Sequence, residues 1–152
     1  MHGESIKSRL LKWRFNFFPA YRRCGARITY VSSDFHEVKI ELRKRWNNVN
    51  HIGTLWGGSL YGAIDPVYTL MLSLILGKEY FVIDKAATIQ FRRTGTGVVT
   101  ACFVLPPGEI EEIVSLLQTQ RKLEREYQVQ LVDSNNAVIL DAKKTIHIKR
   151  KR

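Results

Sequence analysis

The sequence predicts an α+β fold in which an antiparallel sheet wraps around one long apolar helix. Residues 52–77 carry a single charge, Asp65, and a helix that is apolar all round is typically enclosed by protein. Segments that alternate apolar and polar residues, as half-buried strands do, lie on both sides of this run. The chain has 152 residues, which is the length of one domain. We therefore expect a single domain over residues 1–152.

The first element is a predicted helix at residues 5–18, within an N-terminal segment of residues 1–20. Ser5 is a suitable N-cap, and Pro19 limits the helix. An apolar stripe recurs at helical spacing and consists of Ile6, Leu10, Trp13 and Phe17, widened by Leu11 and Phe18. We expect this helix to dock on its own domain. A basic amphipathic helix that lies on a membrane is the alternative.

The remaining elements follow in order along the chain. Strands are predicted at 26–33 and 35–43, then a polar, Gly-rich loop at 47–58 and the long helix, which stops at Gly77. Strands at 81–93 and 98–105, an amphipathic helix at 109–120, strands at 125–133 and 137–149, and a basic tail at 148–152 complete the chain. An open sheet of this size leaves edge strands to cover, which favours a homodimer or a dimer of dimers.

The formal net charge of +10 favours an anionic partner, either nucleic acid, anionic lipid or a phosphate-bearing ligand. No helix-turn-helix, finger or ribonucleoprotein motif is present, so nucleic acid is not expected. Much of the excess charge lies at the two ends, where solvated charge is the ordinary explanation. Two cysteines, Cys24 and Cys102, are too few for a disulfide scaffold or a zinc site. They indicate a reducing compartment, and we expect a cytoplasmic protein with no metal.

Targeting and membrane-spanning segments are not predicted. Arg9, Lys12 and Arg14 interrupt the apolar residues that a signal peptide would need. The 52–77 run is long enough to span a bilayer. However, Asp65 and Pro66 lie near its middle and four glycines thin it at one end, which favours a buried helix over a transmembrane one.

The Gly-rich loop and the long helix carry the residues with the clearest chemistry. Gly57 and Gly58 open the helix, where unpaired backbone N–H groups can bind an oxyanion. Asp65 lies about two turns further on, and a lone carboxylate that is costly to bury must be paired or functional. Thr69 follows on the same face, where its hydroxyl could orient a water for attack on a carbonyl. Alternatively, Asp65 only caps a helix that begins at Pro66, and the spacing does not decide between the two.

At these residues the sequence resembles the hotdog-fold thioesterases, in particular the phenylacetyl-CoA type of acyl-CoA thioesterase. The signature of that type is Asn-x-x-Gly-x-x-His-Gly-Gly with an acid nine positions after the His. Five residues fall on this pattern: Asn50, Gly53, Gly57, Gly58 and Asp65. The Asp65–Pro66 pair and residues 84–88 most resemble an uncharacterised thioesterase-like branch of the superfamily.

The resemblance implies catalytic roles for four residues. The Gly57 N–H would polarise the thioester carbonyl, and Asp65 would activate water or attack the thioester carbon. Asn50 would lie beside the acid across the dimer interface, and Thr69 matches a threonine one turn after the acid. A polar side chain from the third strand of the opposite subunit, at Asp84, would help to hold the water.

The resemblance also implies a substrate site with no cofactor other than the coenzyme A moiety of the substrate. Arg92 and Arg93, at a strand end, are candidate contacts to the coenzyme A phosphates, although they could equally be ordinary exposed strand charges. The substrate-binding set that we expect consists of Trp56, Gly58, Asp84, Lys85, Arg92 and Arg93.

One departure from the pattern affects the predicted function. Trp56 stands where the family has its loop His, so the imidazole contact is lost, which implies altered substrates, slow catalysis or none. The Trp56 indole could instead line the bottom of a pocket for the acyl chain. Three functions therefore stay open: an acyl-CoA thioesterase, a non-catalytic acyl-CoA or fatty-acyl binding protein, or a basic protein that binds nucleic acid or a membrane surface. The third rests on the charge of +10 and the basic ends. The acyl chain, and whether its carrier is coenzyme A or acyl carrier protein, stay open as well.

Overall fold

The computed structural model describes residues 3–151, which form five helices and six strands. The helices are α1 Ile6–Phe17, α2 Pro19–Arg23, α3 Gly57–Ile64, α4 Val67–Leu76 and α5 Glu109–Thr119. The strands are β1 Ala26–Val31, β2 Glu37–Arg43, β3 Tyr80–Phe91, β4 Val98–Val104, β5 Lys122–Asp133 and β6 Val138–Arg150. They form one sheet in the order β1-β2-β4-β5-β6-β3, and every neighbouring pair is antiparallel.

The hydrophobic core lies between this sheet and the α3–α4 pair. Strands β2, β4 and β6 bury alternate residues, as the period-2 pattern predicts. The helices contribute Leu60, Ala63, Ile64, Val67, Met71 and Leu72, all of them buried. The predicted fold class, an antiparallel sheet around a long apolar helix, is confirmed. The Gly57–Leu76 stretch has the length and hydropathy of a membrane span, but its burial against the sheet is that of a core helix.

The predicted long helix is interrupted at Asp65 and Pro66, which separate α3 from α4. Both residues keep a right-handed helical backbone, with φ/ψ of −49°/−52° and −84°/−7°. Pro66 has no N–H to donate to the preceding turn, so one helical hydrogen bond is missing there. The backbone nevertheless continues in a helical conformation and forms no loop. The chain leaves α4 at Gly77, as predicted, with a positive φ of 80°.

Helix α1 docks on the domain as expected, but of the predicted stripe only Leu11, at its flank, packs against the core. Ser8 is buried, and Leu11 and Phe15 pack against the core. The reason lies in the free edge of β1, where the Asn16 side chain donates to the Ile28 carbonyl at 2.9 Å and accepts from the Ile28 N–H at 2.8 Å. These polar contacts set the rotation of the helix, so the apolar stripe of Ile6, Leu10, Trp13 and Phe17 faces outward.

Three further differences from the prediction concern element boundaries. Pro19 does not only end α1 but also begins α2, because proline suits the first position of a helix. Strand β5 starts at Lys122, three residues before the predicted start. Strand β6 extends to Arg150 and buries Ile148, so residues 148–150 belong to the sheet and not to a basic tail.

Helix α5 is fixed to β5 by a buried carboxylate. Glu109 accepts hydrogen bonds from Arg125 Nε at 2.8 Å and from Arg125 Nη2 at 2.5 Å, and a third from the Tyr127 hydroxyl. Burial raises the pKa of Glu109, but the hydrogen bonds from Arg125 and Tyr127 outweigh it, and the net pKa lies below the usual value. The ionised form of Glu109 therefore stabilises the fold.

We expect Glu109→Gln to lower the free energy of unfolding by about 1–3 kcal/mol at neutral pH. The pKa of Glu109 is depressed on folding, so its contribution is present above the unfolded value of 4.5 and is lost as the pH falls through the folded pKa. The difference between wild type and variant should therefore shrink in acid, as measured by urea unfolding at several pH values. Glu111→Gln, at an exposed position of the same helix, is the control. A difference that does not change with pH would contradict the assignment.

Candidate active site

A buried lysine, Lys144 of β6, joins the two acids that the sequence singles out. Its side chain is only 1% exposed. Its Nζ donates to Asp65 Oδ1 at 2.5 Å and to the Tyr61 hydroxyl at 3.1 Å, and lies 2.8 Å from Asp84 Oδ1. Each of the three ammonium hydrogens thus has an oxygen in reach. The Asp84 Oδ1 atom is buried and has no hydrogen-bond partner within the described residues, so the ammonium 2.8 Å away compensates its charge through an ion pair.

Strand register explains why these side chains meet. Lys144 shares the inward face of β6 with the buried Ala142 and Ile146. The pairing of β3 with β6 shifts by one residue between Asp84 and Ala86, which leaves Lys85 as a bulge. A bulge changes the direction of neighbouring side chains. Here Asp84 reaches Lys144, whereas Lys85 is exposed and forms an ion pair with Glu124 on β5.

The carboxylate of Asp65 is held at one oxygen and open at the other. Oδ1 binds the Lys144 ammonium, whereas no direct hydrogen bond to Oδ2 is found within residues 3–151; the Tyr61 hydroxyl also lies close enough to interact with the carboxylate. The Asp65 side chain remains 42% exposed. Its carboxylate makes no capping hydrogen bond to α4, so the interpretation of Asp65 as a helix cap is wrong. The acid is paired, and it also keeps one oxygen available for chemistry.

Thr69 and Asp84 differ from their predicted positions. The Thr69 hydroxyl donates to Asp84 Oδ2 at 2.6 Å and so is not directed at a water beside Asp65. The resemblance implied that Asp84 comes from the opposite subunit, but here Asp84 lies beside Asp65 of the same chain, bridged by Lys144. Thr69 therefore orients Asp84, which in turn orients Lys144.

The charge on Lys144 is stabilised by its neighbours. Burial lowers the pKa of Lys144, but hydrogen bonds to Asp65, Asp84 and Tyr61 outweigh it and hold the pKa above the ordinary value of 10.5. Burial also raises the pKa of Tyr61, as does its interaction with Asp65. Lys144 is thus a fixed cation at neutral pH, and its low exposure keeps it out of contact with a substrate.

The start of α3 presents free backbone amides beside two aromatic rings. Trp56 is the N-cap residue and makes no side-chain cap, and the N–H groups of Gly57 and Gly58 have no acceptor within the described residues. A Cβ on Gly57 would lie 3.1 Å from the Phe91 ring, and one on Gly58 would lie 2.8 Å from the Trp56 indole. The two rings therefore lie close to the amides, and a side chain at either position would have to displace the ring beside it.

The amides and the acid are far apart within one chain. Asp65 follows Gly57 by eight residues, which places it about 12 Å further along a helix that rises about 1.5 Å per residue. One carbonyl group cannot contact the Gly57 N–H and the Asp65 carboxylate of the same chain. An arrangement that uses both groups on one carbonyl requires two copies of the chain.

The other predicted site residues form no hydrogen bond or ion pair with Asp65. Asn50 organises its own loop: its Nδ2 donates to Thr54 Oγ1 at 2.8 Å, and its Oδ1 accepts from the Thr54 N–H at 3.0 Å. Arg92 lies 3.6 Å from Asp141 Oδ2, and Arg93 is exposed. Among residues 3–151, no group of three or more His, Cys, Asp or Glu side chains is placed to hold a metal ion.

The sequence analysis missed Lys144 and Tyr61, although a signal for Lys144 is present. Residues 140, 142, 144, 146 and 148 share one face of β6, and four of them are apolar. A lysine in that series must be paired when buried, and Asp65 is the lone acid of the helix that this face covers. No comparable pattern marks Tyr61.

We expect Lys144→Met to lower the free energy of unfolding by about 2–4 kcal/mol, because it leaves Asp65 and Asp84 facing each other without a cation. Lys143→Met is the matched control, since Lys143 is exposed and its pair with Glu126 lies at the surface; it should change stability by less than about 0.5 kcal/mol. Denaturant unfolding of both variants checks the prediction. Equal stabilities of the two variants would show that Lys144 does not hold the site together.

Solved structures with this fold are similar over nearly the whole chain. One is a crystal structure of a Pseudomonas aeruginosa protein described as of unknown function and a "Probable Thioesterase", with a TM-score of 0.83, 20% identity and coverage of 99% of this chain and 100% of that one. A second is a thioesterase from Haemophilus influenzae, with a TM-score of 0.71, 14% identity and coverage of 98% and 94%. A third is a mutant thioesterase from Pseudomonas aeruginosa, with a TM-score of 0.73, 10% identity and coverage of 99% and 100%.

These similarities identify the architecture as that of the hotdog-type thioesterase structures. At such identities they establish the fold and not the activity. No curated protein matches the chain by sequence. Residues 6–148 match the family described as "Domain of unknown function (DUF4442)", and the chain therefore belongs to that family.

Proposed function

We propose that the protein is an acyl-CoA thioesterase in which Asp65 attacks or activates water against the thioester carbonyl. The observation that carries this proposal is the state of Asp65: a buried ammonium fixes one oxygen, while the side chain as a whole remains 42% exposed. A carboxylate held this way cannot rotate freely, which favours a reaction in a single geometry. The similarity to structures described as thioesterases supports the reaction class.

The proposed chemistry needs no group beyond the protein, water and the substrate. Asp65 Oδ2 takes a proton from water as the water oxygen bonds to the thioester carbon, and the carbonyl oxygen becomes an oxyanion stabilised by a Gly57 N–H. The oxyanion then collapses, the C–S bond breaks, and the proton passes from Asp65 to the leaving sulfur. In the alternative course, Oδ2 bonds directly to the carbon, the C–S bond breaks, and the released thiolate takes a proton from water. A water molecule then hydrolyses the resulting anhydride, which frees the carboxylic acid and restores the Asp65 carboxylate. Lys144 is a positioning residue in either course.

The proposed site is completed by a second copy of the chain. Strand β3 is a 12-residue edge strand, and no helix or strand covers its outer edge in the described chain, whereas α1 covers the edge of β1. Phe81, Ile83 and Phe91 of β3 are exposed apolar residues, and an uncovered edge of this kind favours pairing with another strand. In a dimer joined through β3, Gly57 and Asn50 of the partner subunit would lie opposite Asp65.

Contacts to the coenzyme A moiety are proposed at the end of β3. Arg92 and Arg93 follow that strand directly and are both exposed, and guanidinium groups bind phosphate in a bidentate manner. Lys85 is also on β3 and exposed, but it is engaged with Glu124. Trp56 lies against Gly58 with more than half of its surface exposed, which leaves an apolar face for an acyl chain.

A second candidate function is acyl-CoA binding without hydrolysis. Trp56 supports it, because an indole cannot accept or donate a proton as the imidazole of the related thioesterases can. Binding would then use the same residues, and the only role of Asp65 would be to pair with the buried Lys144 ammonium.

We expect Asp65→Asn to lower the rate of thiol release from a panel of acyl-CoA substrates at least about a hundredfold, since a general base typically contributes that much or more. The amide keeps an acceptor for Lys144, so the fold should persist, as circular dichroism would show. Asp34→Asn is the matched control, because an asparagine can retain the turn contacts of Asp34 to Ser32 and His36.

Two outcomes separate the proposed functions. If the wild type releases thiol and Asp65→Asn releases it at the same rate, Asp65 has no role in hydrolysis. Acyl-CoA binding by calorimetry with no thiol release from the wild type would replace the thioesterase proposal with the binding function.

The oligomeric state of the protein tests whether the site needs two chains. We expect the wild type to sediment as a dimer, or as a dimer of dimers, at micromolar concentration, because the Gly57 and Asp65 groups of one chain are about 12 Å apart. Analytical ultracentrifugation in parallel with the activity assay provides the measurement. A monomer with full activity would contradict the two-chain site while leaving the role of Asp65 intact.

A further inference from the structure

The outward face of α1 is a continuous apolar surface, which we call the α1 stripe. It consists of Ile6, Leu10, Trp13 and Phe17, at spacings that place all four on one side of the helix. Each is more than half exposed, and the Trp13 and Phe17 rings are in contact, with centroids 4.9 Å apart. Single exposed apolar residues need no explanation, but a row of four large ones marks an interaction surface.

The stripe stays exposed because other side chains of α1 fix the helix to the edge of β1. Asn16 forms two hydrogen bonds with Ile28 of β1. Lys12 binds Glu4 at 2.7 Å and the Thr29 carbonyl at 3.2 Å. Rotating the helix to bury the stripe would break these bonds and expose the edge of β1. The stripe is therefore a permanent and ordered surface, so a partner pays no cost for folding it.

Uncompensated positive charge surrounds the stripe. Together with Arg9, Arg27 and Arg45, its residues line an open groove of about 770 Å³. Arg22 lies over the Phe17 ring, 5.5 Å from the centroid. None of these four arginines has a carboxylate partner within residues 3–151. The first 30 residues of the chain contain one acid, Glu4, and Lys12 already neutralises it.

This combination of groups determines the kind of partner. A lipid bilayer with anionic headgroups offers phosphates to the arginines and an apolar boundary to tryptophan, phenylalanine and leucine side chains. A nucleic acid would pair with the arginines but leave Ile6 and Leu10 in water. A second copy of the chain would bring the same cations against each other across a two-fold axis, without acids to offset them.

We propose that the α1 stripe and its surrounding arginines dock the protein on an anionic bilayer surface, with Trp13 and Phe17 inserted at the headgroup boundary. The surface involves neither Asp65 nor β3, so this inference does not rest on the proposed thioesterase activity. The protein binds as a peripheral domain and keeps its fold.

Vesicle flotation of the full chain tests the docking. We expect binding to vesicles of phosphatidylcholine with about 30% phosphatidylglycerol to be at least about tenfold stronger than to phosphatidylcholine alone, and to weaken as salt is added. Trp13→Ala/Phe17→Ala should lower the binding at least about tenfold. Both positions are exposed, so thermal unfolding followed by circular dichroism should be unchanged.

A matched pair of charge reversals locates the surface. Arg9→Glu/Arg27→Glu should abolish binding. Arg121→Glu/Lys122→Glu changes the net charge equally, at two exposed positions where β5 begins, and should leave most of the binding intact. Equal losses in the two charge variants, undiminished binding by the Trp13→Ala/Phe17→Ala variant, or no binding of the wild type at low salt would each overturn the proposal. Dissociation of a wild-type dimer by Trp13→Ala/Phe17→Ala would assign the stripe to self-association and would overturn it as well.

Discussion

The burial of one ammonium group constrains the way in which this sheet closes on its helix. Removing a lysine from water costs several kcal/mol unless charged partners replace the water, and Lys144 is almost fully buried. Its partners come from different parts of the chain: Asp65 after α3 and Asp84 on β3. The position of Asp65 is therefore not free to vary. The contact that compensates the buried ammonium also orients the candidate catalytic carboxylate.

The fold class was predictable because it depends on local patterns, namely strand alternation and one apolar run. The partner of Asp65 was not predicted, because Lys144 lies 79 residues away and the pairing depends on the register of β3 with β6. The sequence nevertheless contains two unusual charges of opposite sign: an acid in an apolar helix, and a lysine at a position of a strand where the alternating pattern has apolar residues. For α1, the apolar period predicted the wrong docking face, since that pattern does not include the polar contacts of Asn16 with the β1 edge.

The two edges of the sheet differ in whether other parts of the chain cover their backbone polar groups. Side chains of α1 occupy the polar groups of the β1 edge, whereas the long β3 edge has no such cover. The proposed dimer seam is at β3 and the proposed lipid-facing surface is at α1, so the two need not compete. Acyl-CoA molecules with long chains are themselves amphiphiles. A thioesterase that rests on a bilayer would therefore meet its substrate where that substrate accumulates.

In the proposed site, Lys144 holds one oxygen of Asp65 so that the other faces a thioester at a seam between two chains. An experimental structure with a ketone analogue of an acyl-CoA, in which a methylene group separates sulfur from carbonyl, tests it most directly. We expect the ketone oxygen to lie within hydrogen-bond distance of the Gly57 N–H of one chain. The ketone carbon should lie beside Asp65 Oδ2 of the other chain, with Lys144 still bound to Oδ1. An analogue bound away from Asp65, or both Asp65 oxygens taken up by Lys144, would contradict it.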